Sequence, residues 1–410
     1  MFKCDIDRLE EKIKCYSKFG DTGKGGITRL CLTTEDIEGR NEFIKRAKDL
    51  GASIKIDDMA NIYATFEGSD NSLPAIVMGS HADSVVQGGN YDGILGVLTG
   101  LEVAETIVKN KIPHRHPIIV MIWTNEEGAR FDPAMMSSGV ICNKFEKEKM
   151  LASADVKGIT FKEALEASDF KGKEENRINP DKCLAMLELH IEQGPVLELE
   201  SVDIGVVEGV VGMVNYEFEF KGQAGHAGTV PMPWRKDALF AATKGIEYLH
   251  NELDKLDDKL VYTTGRILCS PNVHTIIPDN VKFTLDARHQ DPKVIKQLVK
   301  VVEGMPRELA KCEVSYKELW SRKTVAFHED YVDLVEKNSN KFGYTNKRIY
   351  SGPGHDAQFV ADVMPTTMIF VPSIGGNSHC EIEYTPIENC WKGANILLNV
   401  VLDIDSLYNR

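Results

Sequence analysis

The chain has 410 residues, 42% of them hydrophobic, enough to bury a large core and to suggest two or three domains rather than one. A formal net charge of -14 excludes nucleic acid and anionic membrane as main partners, because phosphates would be repelled, while a small anionic substrate needs only a local cation. Nine cysteines scattered from Cys4 to Cys390, with no Cys-x-x-Cys pair, argue against a disulfide framework or a thiolate zinc site and read mostly as small buried hydrophobes.

The N-terminal MFKCDIDRLEEKIKCYSKFG alternates charged and apolar residues at helical spacing. It holds no apolar stretch long enough for a signal peptide or a membrane span, so the expected compartment is the cytoplasm. PAIVMGS and HPIIVMIWT are short apolar runs ending in polar residues. GILGVLTGLEVAETIVKN between them has helical periodicity, with Asp92 near its start, which makes a strand, helix, strand unit. LAMLELH reads as another buried strand. From about residue 209 to 324 the texture changes: strand (VNYEFEFKG), helix (WRKDALFAATKGIEYLHNEL), strand (LVYTTGRILCS), strand (VKFTLDARH), helix (PKVIKQLVKVVEGMPREL), strand (CEVSYKELW). That is the ferredoxin-like β-α-β-β-α-β order, and it predicts a compact insert suited to covering a site or pairing with a second copy. TTMIFVPS and the helical WKGANILLNVVLDIDSL follow. The expected layout is an α/β catalytic domain in two parts, 1–208 and 325–410, interrupted by an α+β insert at 209–324. No internal repeat or low-complexity segment is present.

In α/β sheets, ligands gather beyond the carboxyl ends of the strands. His81, Asp92, Glu126, Glu127, His190 and His379 all fall at such predicted positions. Imidazole and carboxylate are ordinary ligands of zinc and also suit manganese, cobalt and nickel. Asp83, two residues after His81, is placed to accept the other ring N–H and fix the tautomer. NEEG supplies two adjacent carboxylates, one that a metal would keep ionised and one that would take a proton from water. Each motif alone also reads as a solvated loop or a helix cap. Four of them after four predicted strands favour a metal site.

Taken together, GSHADSVVQGGNYDGILGVLTGLEV, WTNEEGARFDPAMMSSGV, LELHIEQGPVLE, GQAGHAGTVPMPWRKDAL, FTLDARH, GPGHDAQ and SHCEIEYT resemble the amidase/hydantoinase/carbamoylase family of dinuclear zinc hydrolases. This family holds N-carbamoyl-L-amino acid hydrolases, β-ureidopropionases and allantoate amidohydrolases. The resemblance runs in order from about residue 25 to the C-terminus. NEEGARF followed by PAMMSSGV looks closer to the carbamoylase and ureidopropionase members. It implies a zinc-peptidase-like catalytic domain with a mixed sheet flanked by helices, an inserted lid and dimerisation domain, and two divalent ions per subunit (Zn, Mn, Co or Ni). His81 and His190 would bind one ion, Glu127 and His379 the other, and Asp92 would bridge them. Glu126 would be the general base. His226, in GHAGT, would cross to the partner subunit of a homodimer and stabilise the oxyanion. Arg288 would grip the substrate carboxylate, and Gln193 and Gly354 would touch substrate. His355 and Asp356 would support the site from behind, and Cys380 is read as a neighbour of His379 that points elsewhere.

One departure stands out. Where the family usually has an Asn-x-Ile-Pro-Gly turn, this chain reads HTIIPDN, with Thr275 at the substrate-holding asparagine and Asp279 at the glycine. A hydroxyl offers fewer hydrogen bonds than an amide, so substrate preference is expected to differ. The expected reaction is hydrolysis of an N-carbamoyl-L-amino acid or N-carbamoyl-β-alanine to amino acid, ammonia and carbon dioxide. The alternatives are an allantoate amidohydrolase, or an aminoacylase or peptidase using the same metals. A catalytically dead binding protein is the reading from another class, and it conflicts with the presence of Glu126 and every ligand position.

Overall fold

Four apolar runs, Ile118–Trp123, Ala75–His81, Cys183–Ile191 and Thr366–Val371, lie side by side in that order as the parallel centre of a nine-stranded sheet in the computed structural model, which describes residues 1–407. Their near-continuous apolar character is what a strand covered on both faces requires. The flanks are antiparallel. Ile62–Phe66 and Ser53–Ile56 extend one side, and Ile204–Val210, which also pairs with Asn346–Ser351, extends the other. These four flanking strands, and a short fifth at Val325–Ala326, go beyond the sequence expectation. The result is a mixed sheet flanked by helices, of the expected fold class.

Helix Ile94–Lys109 is buried from Ile94 to Ile107 between this sheet and the helices Ile387–Leu407 and Ile6–Tyr16. Its two glutamates are held by a buried lysine and a part-exposed arginine. Lys12 Nζ lies 2.8 Å from Glu102 and 2.6 Å from Glu105, and Arg8 lies 2.6 Å from Glu102. Such a cluster persists only because each charge is paired, and removing one partner would strand the others in the interior. It fastens the N-terminal helix to the helix that begins at the candidate site.

The chain divides into two units, one formed by Met1–Gly209 with the chain from Ala326 onward, the other by Val210–Val325. In the second unit, strands Gly212–Lys221 and Asn280–His289 alternate buried and half-buried residues along their length. This period of two puts one face under cover and leaves the other polar. The covered face carries Phe218, Phe220, Phe283 and Leu285 against helices Ala238–Leu253 and Pro292–Glu303. The antiparallel order places Cys312–Arg322 beside Gly212–Lys221, then Asn280–His289, then Ile267–Ser270. LVYTTGRILCS is not one strand but two, Val261–Thr263 and Ile267–Ser270, both paired to Asn280–His289. The first helix starts at Ala238, later than the WRK expected to open it, because Asp237 caps it by accepting the N–H groups of Leu239 and Phe240.

A β-bulge between Glu318 and Trp320 changes which side chains share a face. Before it, Tyr316 aligns with Phe218 of the covered face. After it, Trp320 aligns with Asn215 and Arg322 with Met213, on the open face that also carries Arg288. Among the described residues, no helix is long and apolar enough to cross a membrane.

Candidate active site

The parallel strands deliver their side chains to one edge. His81 is the last residue of Ala75–His81, His190 the next to last of Cys183–Ile191, and Glu126 and Glu127 follow Ile118–Trp123. Asp92 sits just ahead of the helix that starts at Ile94. Gly93 between them has φ 65, and a Cβ there would come within 2.2 Å of the His81 ring. Only glycine allows the helix start to turn so close to an imidazole.

Asp92 is the hub. Its Oδ1 lies 3.6 Å from His81 Nε2 and 3.2 Å from His190 Nε2, and its Oδ2 lies 3.2 Å from His379 Nε2. His379 Nε2 is 3.4 Å from Glu127 Oε2, and His81 Nε2 is 3.5 Å from Glu126 Oε2. The Nδ1 nitrogens face backbone oxygens, His81 that of Asp83 and His190 that of Ile191, each at 2.9 Å. Both rings therefore carry a proton on Nδ1 and turn Nε2 into the cluster. His379 has φ 56 and Gln193 φ 58, a backbone region costly for residues other than glycine, and both belong to this cluster.

Burial opposes a charge on His81, but Glu126, Asp92 and Asp83 outweigh it and raise its pKa well above the ordinary value. Burial pushes Glu126 well above the carboxylate range, and Asp356 and Glu127 act the same way. Burial and then Asp92 lift Glu127 to about 8, while Asp92 lifts His379 to about 9. Asp92 is the exception, for burial would raise it but the hydrogen bonds from His190, His379 and His81 hold it well below the usual range. Such a knot of acids and imidazoles retains protons that a cation would displace.

Two ligand sets share Asp92: His81 with His190, and Glu127 with His379. Within each set the ligand atoms lie within 4.8 Å of one another. Glu127 Oε1 is buried with no hydrogen-bond partner, as a carboxylate awaiting a cation would be. The nitrogen and oxygen donors fit borderline divalent ions. Glu188, His190 and His355 form a third close group, in which Ser80 Oγ already donates to Glu188 at 2.5 Å. Cys380 belongs to none of these groups.

The structure departs from the expected part of Asp83. Its backbone oxygen receives the His81 ring N–H, whereas its carboxylate lies 3.9 Å from that nitrogen and accepts the N–H groups of Glu126 and Glu127, each at 3.2 Å. The strand end curls enough to turn its own carbonyl onto the ring, which frees the carboxylate to hold the glutamate loop. Gln193, expected at the substrate, donates from Nε2 to Asp92 Oδ2 at 2.8 Å, and its Oε1 is buried without a partner. His355 packs edge-on to His190 with centroids 4.5 Å apart, and Asp356 accepts from Ser138 Oγ at 2.5 Å. Gly354 lies in the loop just before helix Asp356–Val360.

The remaining site residues lie in the other unit. His226 is exposed on a two-residue strand paired with Ile276–Ile277, and its Nδ1 accepts the Gly228 N–H at 3.0 Å. Thr275 is exposed, and its carbonyl accepts the Ala227 N–H at 2.9 Å. Arg288 pairs with Asp286 at 2.8 Å. Sequence reasoning overlooked Glu383 and Ser378, which touch the Asp92 segment directly; their one signal was adjacency to His379 in SHCEIEYT.

Comparison with known proteins adds the family context. Residues 77–403 match the family described as Peptidase family M20/M25/M40. An N-carbamoyl-L-amino-acid amidohydrolase of Rhizobium meliloti is 36% identical over 98% of this chain and 97% of that protein. An allantoate amidohydrolase of Bacillus subtilis is 31% identical over 96% of each. The crystal structure of a hydantoinase/carbamoylase family amidase from Burkholderia multivorans superimposes with a TM-score of 0.93 at 40% identity, covering 98% of both chains.

Proposed function

Because this chain belongs to peptidase family M20/M25/M40, as a metal-dependent amidohydrolase acting on carbon–nitrogen bonds other than peptide bonds, we propose that it cleaves an N-carbamoyl-L-amino acid or N-carbamoyl-β-alanine to the amino acid, ammonia and carbon dioxide. The observation that carries this reading is the convergence of His81, His190, Glu127 and His379 on Asp92, with Glu126 alongside. His81, His190 and Asp92 would hold one divalent ion, and Asp92, Glu127 and His379 a second. When bound, such ions polarise the ureido carbonyl and make water a better nucleophile at neutral pH.

The protein's own part begins with Glu126. Its carboxylate takes a proton from the attacking water and delivers it to the leaving nitrogen, a task suited to a buried acid whose pKa is raised. Asp83 keeps that loop in place through two backbone amides. His226, with Nδ1 occupied by the Gly228 N–H, presents Nε2–H, the donor an oxyanion needs. In this proposal it acts across a homodimer. Arg288 exchanges Asp286 for the substrate carboxylate as a planar two-pronged donor. Thr275, Gly354 and Gln193 are further substrate-binding residues in this reading.

Allantoate is the second reading, supported by relatives of that activity at 31% identity. Among the described residues all nine cysteines are free thiols, which suits the reducing cytoplasm proposed as its compartment. The test is a hydrolysis panel of N-carbamoyl-L-amino acids, N-carbamoyl-β-alanine, allantoate, N-acetyl amino acids and dipeptides in manganese, cobalt or zinc. Turnover of carbamoyl substrates above all others is expected. Preference for allantoate would select the second reading, and preference for dipeptides or N-acetyl amino acids would overturn both.

A further inference from the structure

Glu383 is 3% exposed, a depth at which a carboxylate needs partners. Its Oε1 accepts the backbone N–H of Tyr91 at 2.9 Å and of Asp92 at 3.0 Å, and its Oε2 accepts from Ser378 Oγ at 2.9 Å. Ser378 Oγ also lies 3.0 Å from Asp92 Oδ2. One side chain thus grips the backbone of Asp92 and, through the residue before His379, the loop that carries His379. The Asp92 segment is shaped to receive it: a Cβ on Gly89 would fall 2.1 Å from the Glu383 carboxyl. The His379 loop is closed at its base, where the Ile374 N–H donates to the Tyr384 oxygen at 2.9 Å, and Tyr384 packs edge-on against Tyr91.

The two ligand sets differ in what anchors them. His81 and His190 are fixed through their own Nδ1–H bonds to backbone oxygens. The His379 ring is half exposed, so its place depends on the loop.

We propose that Glu383 is a positioning residue that fixes Asp92 and His379 relative to each other and thereby sets the affinity of the Asp92, Glu127 and His379 set for its divalent ion. This rests on the two-ion reading given above. Loss of the carboxyl leaves the buried Asp92 N–H and the part-buried Tyr91 N–H without acceptors and releases both loops. Groups that orient metal ligands in this way are typically worth about 10- to 100-fold in metal affinity. An amide in place of the carboxyl still accepts from both N–H groups and can donate to Ser378 Oγ, so Glu383→Gln preserves the clamp where Glu383→Ala destroys it.

The experiment is a stepwise titration of metal-free full-length protein with Co2+, read by calorimetry and elemental analysis, for wild type, Glu383→Ala, Glu383→Gln and Ser378→Ala, with circular dichroism to establish folding. Glu383→Ala is expected to weaken one of the two binding steps about 10- to 100-fold and the other, which shares Asp92 but keeps its two anchored imidazoles, by less. Glu383→Gln should recover most of the loss, and Ser378→Ala should show a smaller loss at the same step. Should Glu383→Ala not fold, Ser378→Ala and Glu383→Gln decide the matter. Wild-type affinities in Ser378→Ala, or in a folded Glu383→Ala, would overturn the proposal, as would a Glu383→Gln as weak as the alanine variant. Wild-type protein that takes up no Co2+ would bring down the metal reading itself, which distinguishes that failure from this one.

Discussion

The strand-end edge of the larger unit and the open face of the insert's sheet both carry charge, but they hold it differently. At the edge, Asp92, His81, His190 and Glu126 are almost wholly buried; the imidazoles are tied to backbone oxygens, and His81–Asp92, His190–Asp92 and His81–Glu126 approach to between 3.2 and 3.6 Å. On the insert, Arg288 is half exposed and held by Asp286, while Arg322 donates to the Val211 carbonyl and is pushed down to about 10 by burial and by Arg288. Buried charges must be compensated where they stand, so the first arrangement is fixed and specific for cations. A half-exposed ion pair is worth little and can be exchanged for a substrate anion. The edge is therefore expected to carry the chemistry, and the insert face the binding.

The sharpest way to break this contrast is to empty the edge. Prolonged chelation should abolish activity, and manganese, cobalt, nickel or zinc should restore it to different degrees, because the donor set selects geometry rather than one element. Full activity in protein shown by elemental analysis to be metal-free would end the account. Next in size, Glu126→Gln should keep its metal yet lose kcat by about 10,000-fold or more, at or beyond the upper range for a single acid-base group. Glu127→Gln should instead lose one ion, since a neutral amide is a poor ligand. Metal analysis alongside kcat separates these two outcomes.

On the insert, His226→Ala should lower kcat by about 100- to 1,000-fold, the scale of one oxyanion donor. Mixing it with Glu126→Gln subunits should restore activity, because the proposed exchange across a homodimer gives one mixed site both residues. No recovery after subunit exchange verified by mass would confine His226 to its own chain or remove its role. Arg288→Ala should act on KM, by about 10- to 100-fold for a lost charged hydrogen bond, with kcat little changed. An equal fall in kcat would move Arg288 from binding to chemistry and blur the contrast between the two regions.

The smallest effect concerns protons. Glu127 at about 8 and His379 at about 9 hold protons in the metal-free protein that a cation must displace. Metal affinity should therefore rise with pH up to that range. Below it, affinity should fall about tenfold per pH unit for each proton released. Calorimetry in buffers of different ionisation enthalpy counts those protons directly, and a pH-independent affinity between 6 and 8 would show that these groups do not bind the ion.

The sequence by itself determined the central strands and the residues at their ends, because a buried strand must be apolar and ionisable groups recurring after four such strands favour a site over four separate caps or loops. It also determined the alternation of the insert's sheet, written in Gly212–Lys221 and Asn280–His289 as a period of two. Tertiary structure decided the rest. Ser53–Ile56 is a short, partly exposed edge strand whose existence depends on its pairing with Ile62–Phe66. The bulge that turns Arg322 toward the face of Arg288 arises from register, which no local pattern encodes. Asp83 was legible as a partner of His81, yet which of its oxygens faces the ring depended on how the strand end curls. Glu383 was the least legible, since a glutamate in CEIEYT looks like any solvated loop residue. Only the approach of two loops far apart in sequence buries it against the amides of Tyr91 and Asp92, because a hydrogen bond depends on distance in space and not along the chain.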